Sequence, residues 1–174
     1  TGTWIIGFDT DADITRLDPA RDIVANKNVF GKTVASCRFF GGKEFEVLSQ
    51  GAPGTAANLD LVQGFVAGGT LPLPSFSDSG GPMPGTGLKG RIAGPFAESP
   101  AARSSIASLY CALMVAESLD AISSKADVIV DGPFSQNDVF LAVLAALRPG
   151  QTVLASQARD GTAAGAACLA LMPD

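Results

Sequence analysis

Histidine does not occur in this chain of 174 residues. Its absence removes the Ser-His-Asp triad, Cys-His catalysis and histidine-ligated metals, since each needs an imidazole. Cysteine is scarce: Cys37, Cys111 and Cys168 are far apart, odd in number and form no CxxC pair. That spacing argues against a disulfide scaffold and a thiolate zinc site. The three thiols are expected to be small buried apolar groups in a reducing compartment.

Basic residues are also few. Lys and Arg total 12 against 17 Asp and Glu, for a net charge of −5. A nucleic-acid binder needs a basic footprint, and none is present. The acidic balance is that expected of a cytoplasmic protein. No apolar run is long enough to span a membrane, and the start shows no signal-peptide pattern. The first residue is Thr1 rather than Met, directly on a strand-like run. We expect the chain to be cut out of a longer one.

Apolar residues make up 47% and charged residues 17%, enough to bury a core over one domain, 1–174. Thr3 to Phe8 and Thr33 to Phe40 read as strands, aromatic and β-branched. The stretch between them, including Asn26 to Asn28, reads as turns. Gly41-Gly42 reads as a break before a helix from Lys43 to Ser49. Thr55 to Ala67 has helical spacing, with Leu59, Val62 and Val66 on one side. Residues 68–100 are rich in Gly, Pro and Ser, a loop-rich insertion with short strands near 71–76 and 90–93.

Ser99-Pro100 reads as a helix start, with Ser as N-cap. The helix should run to about Ser123, and its near-continuous apolar surface predicts a buried, central element. Strand, helix, strand and helix then alternate: Asp127 to Asp131, Asp138 to Leu147, Thr152 to Ala155, and Asp160 to Leu171. That order predicts an α/β fold, with a mixed sheet flanked by helices.

Three strings mimic known motifs. Asp78-Ser79-Gly80-Gly81-Pro82 matches a serine-protease nucleophile, but no general base exists to activate the hydroxyl. Gly85 to Gly90 fits GxGxxG, but no helix follows to meet a pyrophosphate. Gly31-Lys32-Thr33 resembles a P-loop end, yet Asn26 stands where its first Gly belongs. Asp9, Asp11 and Asp13 lack the Gly and Glu of a calcium loop and read as a solvated turn. No metal site is expected.

One turn does carry chemistry. Gly132 to Asn137 closes a strand and opens a helix. Gly lets a ligand approach the backbone closely, and a helix N-terminus offers free N–H groups. Ligands in open α/β sheets sit at such strand ends. Ser135, three residues before Asp138, reads as the capping residue.

This turn, with Asp160-Gly161-Thr162-Ala163-Ala164-Gly165 on the last helix, resembles the C-terminal lobe of FGGY carbohydrate kinases. Thr1-Gly2-Thr3-Trp4, Leu17 to Asp22, Arg38 to Phe45 and the long helix resemble that lobe too, especially in rhamnulokinase- and fuculokinase-like members. The resemblance implies a ribonuclease H-like lobe of the actin and hexokinase superfamily. It implies ATP and Mg2+ as cofactors, with phosphoryl transfer to a ketose or related sugar. Gly2 and Thr3 would meet the ATP phosphates, and Gly132, Pro133, Phe134 and Asn137 the adenosine. Gly42 would line the nucleotide site or form a helix-entry turn. Pro133 replaces the second Gly of the common pattern and removes one N–H donor. Gly161 and Gly165 would be close-packing positions beside the adenosine turn.

The resemblance places the catalytic general-base Asp upstream of Thr1, on an N-terminal lobe that also holds most sugar contacts. This chain alone is then expected to lack kinase activity. A homodimer is compatible with it. Two alternatives stand beside this reading: a non-catalytic nucleotide- or sugar-responsive module, and another phosphotransferase of the superfamily.

Overall fold

The computed structural model describes residues 3–51, 56–158 and 161–171. Three strands form an antiparallel sheet: β1 (Ile5–Asp9), β2 (Ile23–Lys27) and β3 (Thr33–Phe39), with β3 in the middle. Ile5 faces Phe39 across one ladder and Ile23 faces Cys37 across the other. The β2 strand corrects the expectation of turns at 26–28. Ala25, Asn26 and Lys27 pair with Ala35, Val34 and Thr33, and the Asn28 side chain builds the turn by accepting from Phe30 and Lys32 N–H groups. Cross-strand pairing overrides the turn propensity of Asn. Gly31 and Lys32 therefore close a hairpin turn and Thr33 opens β3, so the string that resembles a P-loop end enters a strand and not a helix.

Helix α1 spans Gly41–Ser49. Gly41 and Gly42 are its first turn rather than a break before it. Gly41 is required there by crowding: a Cβ would come within 2.3 Å of Ile5 Cδ1 and 3.0 Å of the Phe39 ring. Helix α2 (Leu59–Ala67) begins at Asn58, whose side chain accepts from Asp60 and Leu61 N–H groups. The short strands β4 (Leu71–Leu73) and β5 (Arg91–Ala93) pair antiparallel at the two ends of the predicted insertion.

Helix α3 (Pro100–Ala121) is the hub, as its sequence predicts. Fifteen of its 22 residues are buried, and Ser99 caps it with Pro at the first position. It packs against α1, α4 and α2. Ile106, Leu109, Tyr110 and Leu119 sit in the core with Phe39, Leu48 and Phe140. Burying one such side chain contributes about 1.5–3 kcal/mol.

Strands β6 (Val128–Val130) and β7 (Val153–Ala155) pair parallel, joined by α4 (Asp138–Leu147) as a crossover. Asn137, not Ser135, caps α4, and Ser135 lies in the 3-10 turn Pro133–Gln136. Helix α5 (Gly161–Ala170) follows. Cys37 and Cys111 are buried, but Cys168 on α5 is exposed, which corrects the expectation of three buried thiols. Among the described residues, no helix is long and apolar enough to cross a membrane.

Candidate nucleotide site

The start of β1 is held by α1. The Thr3 carbonyl accepts from the N–H of Gly42 at 3.1 Å and of Lys43 at 3.4 Å. A helix N-terminus presents unpaired N–H groups with positive partial charge, and here they fasten the Thr3 turn. Gly42 thus acts on Thr3 through its backbone and does not line the cleft described below. Beside it, Trp4 stacks on Phe40 with ring centroids 3.7 Å apart, and the Arg38 guanidinium lies 5.2 Å from the Trp4 ring. Gly2 lies outside the described residues.

The second turn follows β6. Gly132 has φ 81° and ψ −159°, a region essentially open only to Gly. No atom lies within 4 Å of where its Cβ would be, so the backbone geometry and not crowding demands the glycine. Pro133 opens the 3-10 turn. Phe134 packs edge-on to Phe45 of α1 at 5.6 Å and beside Phe140 at 5.0 Å. Asn137 points inward: its Oδ1 accepts from Phe140 N–H at 3.0 Å, and its Nδ2 donates to Ser108 Oγ at 2.9 Å. It fixes the turn against α4 and α3.

Both turns border one cleft of about 670 Å³, lined by Trp4, Gly132, Pro133, Phe134 and Thr162 together with β1 and β6. They lie at the same end of it, because α1 touches both, through Gly42 at Thr3 and Phe45 at Phe134. At the other end stands Asp9, close to the Ser124 hydroxyl ahead of β6. The two strands therefore run in opposite directions across the cleft. Burial acts to raise the Asp9 carboxyl. The Asp11 and Ala12 N–H groups, the Ser124 hydroxyl and Lys32 outweigh it and hold the carboxyl below its usual range. This occupied turn also accounts for the Asp9-Asp11-Asp13 spacing, since Asp13 caps its own 3-10 turn at Thr15.

Strand edges dominate the rest of the cleft. β1 spends one edge on β3, and among the described residues its other edge has no ladder partner. In β6, Val128 N–H and the Val130 carbonyl bond toward β7, so by alternation Ile129 turns its backbone groups away from β7. Gly161 packs tightly beside the turn, since a Cβ would meet the Asp131 carboxylate at 2.3 Å. Gly165 has open space instead, so only one of the two glycines is a close-packing position.

Sequence reasoning missed Glu44 and Arg148, both buried. Glu44 reads as an ordinary polar helix position, and nothing in its spacing marks it. Arg148 donates to the carbonyls of Ala116 and Ser124 and to Asp120, joining α3 to the end of α4.

The model of the C-terminal domain of FGGY carbohydrate kinases matches residues 1–174. No curated protein matches the chain. It is similar to the crystal structure of a carbohydrate kinase from Novosphingobium aromaticivorans, with 33% identity and a TM-score of 0.81. The match covers 98% of this chain and 39% of that one, so this chain spans well under half of that kinase. With the ribonuclease H-like lobe, its two turns and these likenesses in place, the chain belongs to the C-terminal domain family of FGGY carbohydrate kinases.

Proposed function

We propose that this chain is the ATP-binding lobe of a sugar kinase that moves the γ-phosphoryl of MgATP to a hydroxyl of a ketose or related sugar. The observation that carries the reading is that the Thr3-Trp4 turn and the Gly132–Phe134 turn border one cleft, and that α1 touches both. Gly132 leaves open space where a side chain would stand, so a ligand can reach the backbone there. Phe134 offers an apolar wall, and Pro133 keeps its carbonyl as an acceptor while lacking the N–H. Thr3 and Gly2 would meet the phosphates. Asn137 would serve the adenosine side by holding the turn that carries Gly132.

Mg2+ would supply charge neutralisation between the transferring phosphates. Among the described residues no group of acidic side chains is gathered to hold a metal. The phosphates of ATP are themselves its ligands in this reading. What the chain's own residues do is bind and orient the nucleotide, which is most of what phosphoryl transfer asks of a protein.

The rest of the kinase would supply the base, most sugar contacts and an extended segment. The edges of β1 and β6 that face each other across the cleft support that last part. Unpaired strand edges invite a further strand. Ile6, Phe8 and Ile129 are 50%, 61% and 70% exposed, an apolar surface with room for cover. The chain alone would have no kinase activity.

Titration of the full-length kinase with ATP and with adenosine tests the reading. Gly132→Ala should weaken both ligands, because φ of 81° strains any L side chain. Thr3→Ala should weaken ATP and leave adenosine unchanged. Wild-type ATP affinity in both variants would overturn the proposal.

A further inference from the structure

Glu44 is fully buried, at 0% exposure, and no described ion pair includes it. A carboxylate away from water needs donors in place of a cation. Glu44 has four. The Ser75 hydroxyl at 3.0 Å and the Ser77 hydroxyl reach Oε1, and the Tyr110 hydroxyl and the Phe76 N–H at 3.4 Å reach Oε2. Tyr110 belongs to α3, and the other donors belong to the Gly- and Pro-rich loop. Glu44 thus fastens the first turns of α1 to both. Those turns hold the Thr3 carbonyl.

The same loop reaches the other side of the Thr3-Trp4 turn. Ser79 follows Ser77 by two residues, and its carbonyl lies 3.0 Å from both the Ser75 and Ser77 hydroxyls. Each hydroxyl has one proton, shared between that carbonyl and Glu44. The Ser79 hydroxyl donates to Asp22 at 3.0 Å, Asp22 accepts from Arg38 Nε at 3.3 Å, and Arg38 covers Trp4. The loop has little room to move. A Cβ on Gly81 would come within 2.6 Å of Phe39 Cβ, and the Pro82 carbonyl accepts from Arg21 Nε at 3.0 Å.

We infer that the Ser75–Pro82 loop is a positioning element for the phosphate turn. It acts through Glu44 and α1 on Thr3, and through Ser79, Asp22 and Arg38 on Trp4. The string that mimics a protease nucleophile is given a use by this: Ser79 is a hydrogen-bond relay, not a nucleophile. The inference rests on the reading that Thr3 meets phosphates.

The test uses the full-length kinase, titrated calorimetrically with ATP, ADP and adenosine. Thr3→Ala serves as the control for the phosphate reading. Ser79→Ala and Glu44→Gln should each weaken ATP and ADP by up to about tenfold, the scale of one lost charge-assisted hydrogen bond. Adenosine should bind as before, KM for ATP should rise, and KM for the sugar should not. Ser79→Thr, which keeps the hydroxyl, should restore ATP affinity. A loop that only stabilises the lobe would lower Tm without separating ATP from adenosine. If Thr3→Ala weakens ATP while Ser79→Ala and Glu44→Gln do not, the inference is overturned and the phosphate reading stands. If Thr3→Ala has no effect, both fall. Should Glu44→Gln fail to fold, Tyr110→Phe removes one of its donors from the far side and must show the same selectivity.

Discussion

The carbonyl of Thr3 accepts from the N–H of Gly42 at 3.1 Å, so the helix that follows the sheet holds the turn that precedes it. Thirty-nine residues apart in sequence, the two become one structural unit, and this sets where the Thr3-Trp4 turn points.

Gly41→Ala should loosen that unit. Its methyl would press on Ile5 Cδ1 and the Phe39 ring. Overpacking of this kind costs about 1–3 kcal/mol. Urea unfolding should show a lower midpoint with an unchanged slope.

Asn137→Ala removes the α4 cap and leaves Ser108 without its donor. The expected loss is about 1–2 kcal/mol. Asn137→Asp keeps the acceptor for Phe140 N–H and loses only the Ser108 bond, so it should recover part of the stability in thermal melts. Equal destabilisation by both variants would contradict the capping role.

Arg148→Ala strands the carbonyls of Ala116 and Ser124 in a buried place. The loss should reach about 3–5 kcal/mol. Arg148→Lys should recover little, because an ammonium lacks the planar fork that reaches several acceptors. Denaturant titration of the three forms orders them.

Asp9 should make the lobe acid-sensitive. Its folded carboxyl lies below the ordinary range. Its stabilising share is therefore fully present above the unfolded value of about 3.9 and is lost as pH falls through the folded value. Asp9→Asn should flatten the stability profile below about pH 4, where a group of this kind titrates. A profile as steep as the wild type would place the acid sensitivity elsewhere.

Much of the fold was legible because the local signals were strong and agreed. Ser99-Pro100 start α3, and the apolar residues around Ile106 to Leu119 mark it as central. Asp138 to Leu147 and the two parallel strands follow from alternation. β2 was not legible, because Asn26 and Lys27 form strand only when β3 lies beside them. The α4 cap was misread since Ser135 and Asn137 are both good caps, and which one serves depends on the 3-10 turn at Pro133. Family resemblance pointed to the two turns, but not to the loop around Ser79.

The sequence by itself determined most of the elements, the absence of any imidazole in this chain and the turn that begins at Gly132, because these depend on residue type and near neighbours. Tertiary structure alone decided that Glu44 joins α1 to the Ser75–Ser77 loop and Tyr110, and that Ser79 reaches Arg38 over Trp4 through Asp22. Hydrogen bonds between residues far apart in the chain depend on how helices and loops pack, and no local pattern encodes that distance.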